Sequence, residues 1–191
     1  MAQRFFTTPD LLAGINATIQ NPTFLYQNQQ IQVPAAVYEV EVGDSFSLIA
    51  EQLGITVSSL IQANANRVTV SEDVLYPGMR LIVPLPLATN IVITEPFAGN
   101  VIFDRSGISG YARAFEANVL YRVVDDNGVG VTGERFTTAE FGAPAFSRFH
   151  DVIPFDQQPT ASTGVLEVYT RSAADGSVQD LVRVRVKFNI S

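Results

Sequence analysis

Cysteine is absent from this chain of 191 residues, which excludes disulfides and thiol catalysis and leaves the redox compartment open. Histidine occurs once, at His150, too few for a metal centre built on a histidine cluster. Tryptophan is missing. Positive charge is scarce: 12 Lys and Arg stand against 19 Asp and Glu, a formal net charge of -7. No net positive field gathers phosphates, so nucleic acid and anionic lipid are poor partners. No apolar run reaches the roughly 18 residues of a membrane-spanning helix. The opening residues, "MAQRFFTTPD", carry neither the basic nor the apolar region of an export signal. What the chain does have is a hydrophobic content of 47%, enough for a sizeable core, with 13 Gly and 10 Pro to mark frequent turns. The length suits one or two domains.

Four segments follow from the pattern. Residues 1–34 are rich in Gln and Asn and end at Pro34. Residues 36–84 read as a β-α-α-β module. Residues 85–90 belong to "PLPLATN", which reads as a stiff linker because it holds two prolines and no periodicity. Residues 91–191 read as short alternating strands.

Within the module, Val37 to Val42 alternates as a half-buried strand does. Asp44 or Ser45 can cap a helix whose apolar face is Phe46, Ile49, Ala50 and Leu53. Gly54 is a natural left-handed stop. Thr56 can cap a second helix through Asn64, with Leu60 and Ile61 inward. Pro77-Gly78 fits the centre of a type II turn before a return strand, Met79 to Val83.

The run Tyr38, Val40, Gly43-Asp44-Ser45, Ile49-Ala50, Gly54-Ile55, Leu60, Asn64, Leu75-Tyr76-Pro77-Gly78, Leu81, Val83-Pro84 resembles the LysM domain. That resemblance implies binding of N-acetylglucosamine glycans such as peptidoglycan or chitin. The stretch from Asn64 to Pro77 is slightly long for the family, so the rim loop beside the groove is expected to be unusual. The end of the module, "LYPGMRLIVP", nearly restates "LYQNQQIQVP" at 25–34. Residues 6–34 resemble the second half of a LysM module. In this reading Leu11 and Leu12 match Leu60 and Ile61, Asn16 matches Asn64, and Tyr26 matches Tyr76. The first strand and helix are missing, so the chain reads as a fragment that begins inside an upstream repeat. The half repeat is expected to be mobile or to dock on a neighbouring surface, and to add little to glycan binding.

In the C-terminal segment, "LVRVRVKFNI" alternates with Val182, Val184, Val186, Phe188 and Ile190 inward and Arg183, Arg185 and Lys187 outward. "IVITEP", "ANVLYRVVD", "RFTTAEF", "SRFHDVIPF" and "VLEVYTR" supply further strands, and Asn127-Gly128 and Asp175-Gly176 are hairpin turns. About seven short strands predict an immunoglobulin-like β-sandwich. Without Cys and Trp it lacks the antibody inter-sheet disulfide. Gly110, Ala112, Arg113, Phe115 and Glu116, followed late by Ser172, Ala173, Asp175 and Gly176, resemble the Gmad2 domain of bacterial spore germination proteins. The fold expected is therefore a small βααβ LysM module (α+β) followed by an all-β sandwich.

The resemblance to LysM implies a glycan groove between two turns. Gly43, Asp44, Ser45 and Phe46 form one wall; Val74, Leu75, Tyr76 and Pro77 form the other. The plain alternatives are that Asp44 and Ser45 are caps, Leu75 is core and Pro77 is a turn residue. Arg113 and Glu116 read as a structural ion pair or hydrogen bond within the sandwich, or else as a partner contact. Arg183, Arg185 and Lys187 read as a solvated face, or else as a contact for anionic envelope polymer. His150 and Asp151 are adjacent in a strand and so face opposite ways, which argues against a catalytic pair. No catalytic constellation, cofactor or metal site is expected. The favoured reading is a non-catalytic protein of the cell wall or spore envelope whose sandwich is an interaction or spacer domain, with envelope or spore proteins as further partners. A wall hydrolase or its accessory subunit, and a phage tail or wall-puncturing component, stay open as alternatives.

Overall fold

The computed structural model describes residues 2–5, 7–16, 19, 21, 23–65 and 74–189. Residues 66–73, within the rim stretch singled out above, and Ile190 lie outside the described residues.

A short 3₁₀ turn at Ala2–Phe5 precedes α1 (Pro9–Gly14). The module then runs β1 (Ala35–Glu39), α2 (Phe46–Leu53), α3 (Val57–Asn64) and β2 (Arg80–Pro84). Its boundaries are set locally. Ser45 Oγ accepts from Leu48 N at 3.2 Å and Thr56 Oγ1 from Ser59 N at 3.1 Å, each satisfying a donor of a helix's first turn. Gly54 ends α2 at φ 64. β1 pairs antiparallel with β2, Val37 opposite Ile82. The strand stops earlier than the alternation predicts, and Val37 and Val42 are exposed while Val40 is buried.

Asn64 joins the pieces. It is fully buried; its Nδ2 donates to Leu60 O at 2.9 Å and Ile82 O at 2.8 Å, and its Oδ1 accepts from Ile82 N at 2.9 Å. The half repeat repeats this chemistry. Asn16 Nδ2 donates to Leu12 O at 2.7 Å and Gln32 O at 2.8 Å, and Asn16 Oδ1 accepts from Gln32 N at 2.7 Å. Thr8 caps α1 as Thr56 caps α3. The asparagine-to-carbonyl bond corrects the pairing expected from sequence: Leu12 matches Leu60, and Leu11 matches Ser59. The Asn16–Asn64 match already implies this pairing, since Leu12 and Leu60 each stand four residues before the asparagine, and the backbone bond agrees.

Residues 91–189 form a sandwich of eight strands: β3 (Ile91–Glu95), β4 (Val101–Ile102), β5 (Ser106–Ala112), β6 (Asn118–Asp125), β7 (Gly130–Thr138), β8 (Ser147–Ile153), β9 (Thr163–Arg171) and β10 (Val178–Phe188). One sheet has the order β4-β10-β9-β6-β7, the other β3-β5-β8. β4 lies parallel to β10; the other pairs are antiparallel. Val182, Val184, Val186 and Phe188 face inward as the alternation predicts. β5 is not legible as a strand in the sequence because Gly107 and Gly110 interrupt it. Gly110 is there for close approach: a Cβ would stand 2.3 Å from Val92 O and 2.8 Å from the Phe149 ring.

The segment expected to be a linker is seated rather than extended. Leu85 is buried, Leu87 bridges Val92, and Ile93 N donates to Pro86 O at 3.1 Å. Val40, Phe46, Leu53, Leu60, Leu81 and Val83 belong to the same apolar cluster as Ile91, Ile93, Val182 and Val184. Gly99 sits against Leu53, and the left-handed Gly54 abuts Arg185, where an added Cβ would come within 2.7 Å. The half repeat docks on the sandwich through a separate set of contacts. Leu11 and Ile15 pack with Leu85, Val92 and Tyr111 in a second apolar cluster. This explains why Ile91, Val92 and Ile93 are all fully buried. β3 has the sandwich core on one face and the half repeat on the other, so it reads as a continuous apolar run.

Asp125 ties the β6–β7 turn to the loop before β9. Its carboxylate accepts from Asn127 N, Val129 N, Thr160 N, Thr160 Oγ1 and Ala161 N at 2.7–3.1 Å. Burial by itself would raise the carboxyl, but these donors outweigh it and hold it at about 2. The folded value lies below the ordinary aspartate value of about 3.9. The stabilisation is therefore complete above that ordinary value and is lost as pH falls through about 2. Asp125→Asn is expected to lower stability at neutral pH and to flatten the acid limb of a stability-versus-pH curve between about pH 4 and 2. Chemical denaturation across that range is the measurement, and an acid limb as steep as the wild type's contradicts the assignment.

Candidate functional site

The two walls predicted for the groove arise at one end of the β1–β2 ribbon. Val40 N donates to Met79 O and Gly78 N to Val40 O, both at 2.8 Å, so the chain leaving β1 and the turn entering β2 lie side by side. Gly43 holds φ 94 and Gly78 φ 84, and a Cβ at either would meet open space. These glycines serve the left-handed backbone rather than packing.

The first wall presents backbone more than side chains. Asp44 Oδ2 accepts from Tyr38 Oη at 2.9 Å and from Glu41 N at 2.8 Å, which closes the turn. Burial, reinforced by the Asp44 carboxylate, pushes the Tyr38 hydroxyl up to about 12, so it stays a neutral donor at physiological pH. Ser45 is occupied as the α2 cap and Phe46 is buried in the core. The second wall is more open. Val74, Tyr76 and Pro77 are exposed, while Leu75 packs against the core. Tyr76 N donates to Met79 Sδ and Met79 N to Tyr76 O, which fixes the turn.

The half repeat carries a copy of this second wall, with Phe24, Leu25 and Tyr26 in the places of Val74, Leu75 and Tyr76. Gln29 N donates to Tyr26 O, and Tyr26 N to the Gln29 side chain, as around Met79. Asn28 adopts φ 64 at the place of Gly78. Asn tolerates the left-handed region better than other residues with a Cβ, which is why the turn survives without glycine.

The other residues singled out from sequence fall outside this groove. Arg113 does not pair with Glu116. Its Nε donates to Asn90 Oδ1 at 2.9 Å, its Nη1 meets Asp10 of the half repeat at 2.6 Å, and its guanidinium lies 4.7 Å from the Phe146 ring. It fastens α1 to the sandwich. Two residues of the basic stripe of β10 are paired within the domain. Arg183 and Arg122 flank Glu167 at 2.9 and 2.7 Å across neighbouring strands, and Arg185 binds Asp126 with two nitrogens. Arg185 is thus engaged on both sides, by Asp126 and by the Gly54 backbone, whereas Arg183 shares Glu167 with Arg122 and stays largely solvated, and Lys187 makes no ion pair among the described residues. His150 is exposed, while Asp151 turns inward to accept from Tyr121 Oη at 3.2 Å, so the two do not form a pair. Among the described residues no group of three or more His, Cys, Asp or Glu is placed to hold a metal ion. No described helix is long and apolar enough to cross a membrane.

The LysM domain family matches residues 1–34 and 38–84, the half repeat and the module. The immunoglobulin-like domain of bacterial spore germination, Gmad2, matches residues 90–177. The chain carries LysM sequence followed by a Gmad2 domain. No curated protein matches it. The LysM match implies binding of peptidoglycan or a related N-acetylglucosamine glycan, and both matches suggest a cell-wall or spore-associated setting. LysM is a binding family and Gmad2 an immunoglobulin-like one; neither is a catalytic family.

Proposed function

We infer that this is a non-catalytic peptidoglycan-binding protein of the bacterial cell wall or spore envelope, acting in sporulation or germination. The LysM module holds N-acetylglucosamine glycan through Gly43–Phe46 and Val74–Pro77, and the Gmad2 sandwich carries the interaction or spacing role. The observation that supports the reading is the adjacency of the two turns at the open end of the β1–β2 ribbon. Backbone groups of the first turn are available to the N-acetyl and hydroxyl groups of a sugar. The exposed Val74 and Tyr76 offer apolar surface to the acetyl methyl and the ring.

One small groove makes few contacts, so a single module binds with a dissociation constant from micromolar to millimolar, about -4 to -8 kcal/mol. NMR titration of the full chain with an N-acetylglucosamine pentamer is expected to shift amides in both turns. Tyr76→Ala, a change at an exposed side chain, is expected to weaken binding about tenfold with no change in melting temperature. Silence of both turns at millimolar pentamer removes the reading.

A further inference from the structure

A cavity of about 590 Å³ opens at the edge of the Gmad2 sandwich. Its volume falls within the range of small-molecule sites. One wall is the step from β5 to β6, Arg113 to Asn118; the other is the β9–β10 end, with Ser172, Gln179 and Asp180. The two stretches that mark the Gmad2 resemblance, far apart in the chain, thus meet at one opening.

The core does not require several of these residues. Phe115 is 69% exposed. Glu116, Asn118 and Gln179 are exposed, and among the described residues their side chains have no hydrogen-bond partner. The backbone is unusual at the same place. Glu116, Ala117 and Asp180 have φ of 55, 61 and 50, a region that residues other than glycine rarely adopt. Such conformations cluster where a site is held ready for a ligand. Here they are pinned from behind, since Ala139 N donates to Ala117 O and Ala143 N to Ala114 O, both at 2.8 Å. Asn90 braces the floor, accepting from Arg113 Nε and donating to Asp180 Oδ2, each at 2.9 Å.

We propose that this opening is a second glycan-binding site, separate from the LysM groove. Carboxylates, amides and a guanidinium are planar groups that can bridge neighbouring sugar hydroxyls, each accepting or donating in a fixed direction. The Phe115 ring gives an apolar platform for the C–H face of a pyranose. Arg113 is engaged by Asp10 and Asn90 and Arg171 by Glu134, so the rim offers an anionic ligand no unengaged arginine, which suits a neutral, hydroxyl-rich polymer better than a strongly charged peptide. The choice of an N-acetylglucosamine polymer rests on the reading of the LysM module above. Two sites on one polymer raise overall affinity without any new contact within either site.

The test is NMR titration of the full chain with N-acetylglucosamine pentamer and, separately, with a peptidoglycan stem peptide. Wild type, Phe115→Ala, Gln179→Ala and Tyr76→Ala are compared. The pentamer is expected to shift amides at 113–118 and 170–180 as a second set. Phe115→Ala or Gln179→Ala weakens that set about tenfold and leaves the 43–46 and 74–77 set unchanged; Tyr76→Ala does the reverse. Shifts in the LysM turns without shifts at 113–118 and 170–180 overturn this proposal and leave the LysM reading standing. Shifts at 113–118 and 170–180 alone overturn the LysM reading and leave this one. A response of the cavity to the stem peptide and not to the pentamer overturns the glycan assignment.

Discussion

Asn64→Ala is expected to cost about 2–5 kcal/mol of stability, a substantial fraction of what a small protein has to spare. The side chain is fully buried and serves both Ile82 N and Ile82 O, which face away from the β1–β2 ladder. Alanine leaves both backbone groups of the half-buried Ile82 without their partner, at about 1–3 kcal/mol each. Asn16→Ala removes the same clamp from the half repeat. Its partner Gln32 is exposed, so water can replace the lost bonds and the cost is smaller. The LysM core is continuous with the sandwich core, so the Asn64 loss is expected to shift one common unfolding transition rather than split off an early one. Urea unfolding followed by circular dichroism measures both. A cost for Asn64→Ala no greater than that for Asn16→Ala contradicts the argument.

Gly110→Ala is expected to cost about 3 kcal/mol or more, because the added carbon collides with a backbone atom that has nowhere to move. Val92 O, at 2.3 Å, belongs to a strand packed on both faces. Relief requires β3 to shift, which disturbs the sandwich core through Ile91 and Ile93 and the half-repeat dock through Val92. Gly128→Ala is the comparison. Its Cβ meets open space and only the positive φ is strained, at about 1–2 kcal/mol. Thermal melts of the two variants rank them. Equal melting temperatures, or a less stable Gly128→Ala, remove the steric account.

The helices of the LysM module are readable because their signals are local. Ser45, Gly54 and Thr56 act within one turn of themselves, and the helical spacing of Phe46, Ile49, Ala50 and Leu53 needs no distant partner. β10 is readable for the same reason, with a strict alternation of inward and outward residues. β5 is not, since Gly110 answers to Val92 and Phe149 on the neighbouring strands. Matching the paired leucines sets the helix of the half repeat out of register by one residue, whereas counting back from Asn16 and Asn64 gives the register that the backbone bonds show. The pairing of Arg183 and Arg185 is not visible in the sequence because their partners Glu167 and Asp126 lie elsewhere in the sandwich.

Sequence alone determined which modules are present and their order, and the caps and turns that bound their elements, including the two turns at the open end of the β1–β2 ribbon. The caps and turns depend on residues within a few positions of one another. Tertiary structure alone decided how the parts are joined. It turned an apparent linker into a packed segment, seated the half repeat on Val92 and Tyr111, and committed Arg113 and Arg185 to contacts between modules. It also brought Phe115 and Gln179 to one opening. These contacts join residues far apart in the chain, and such pairings leave no periodic trace along it for a sequence reading to find.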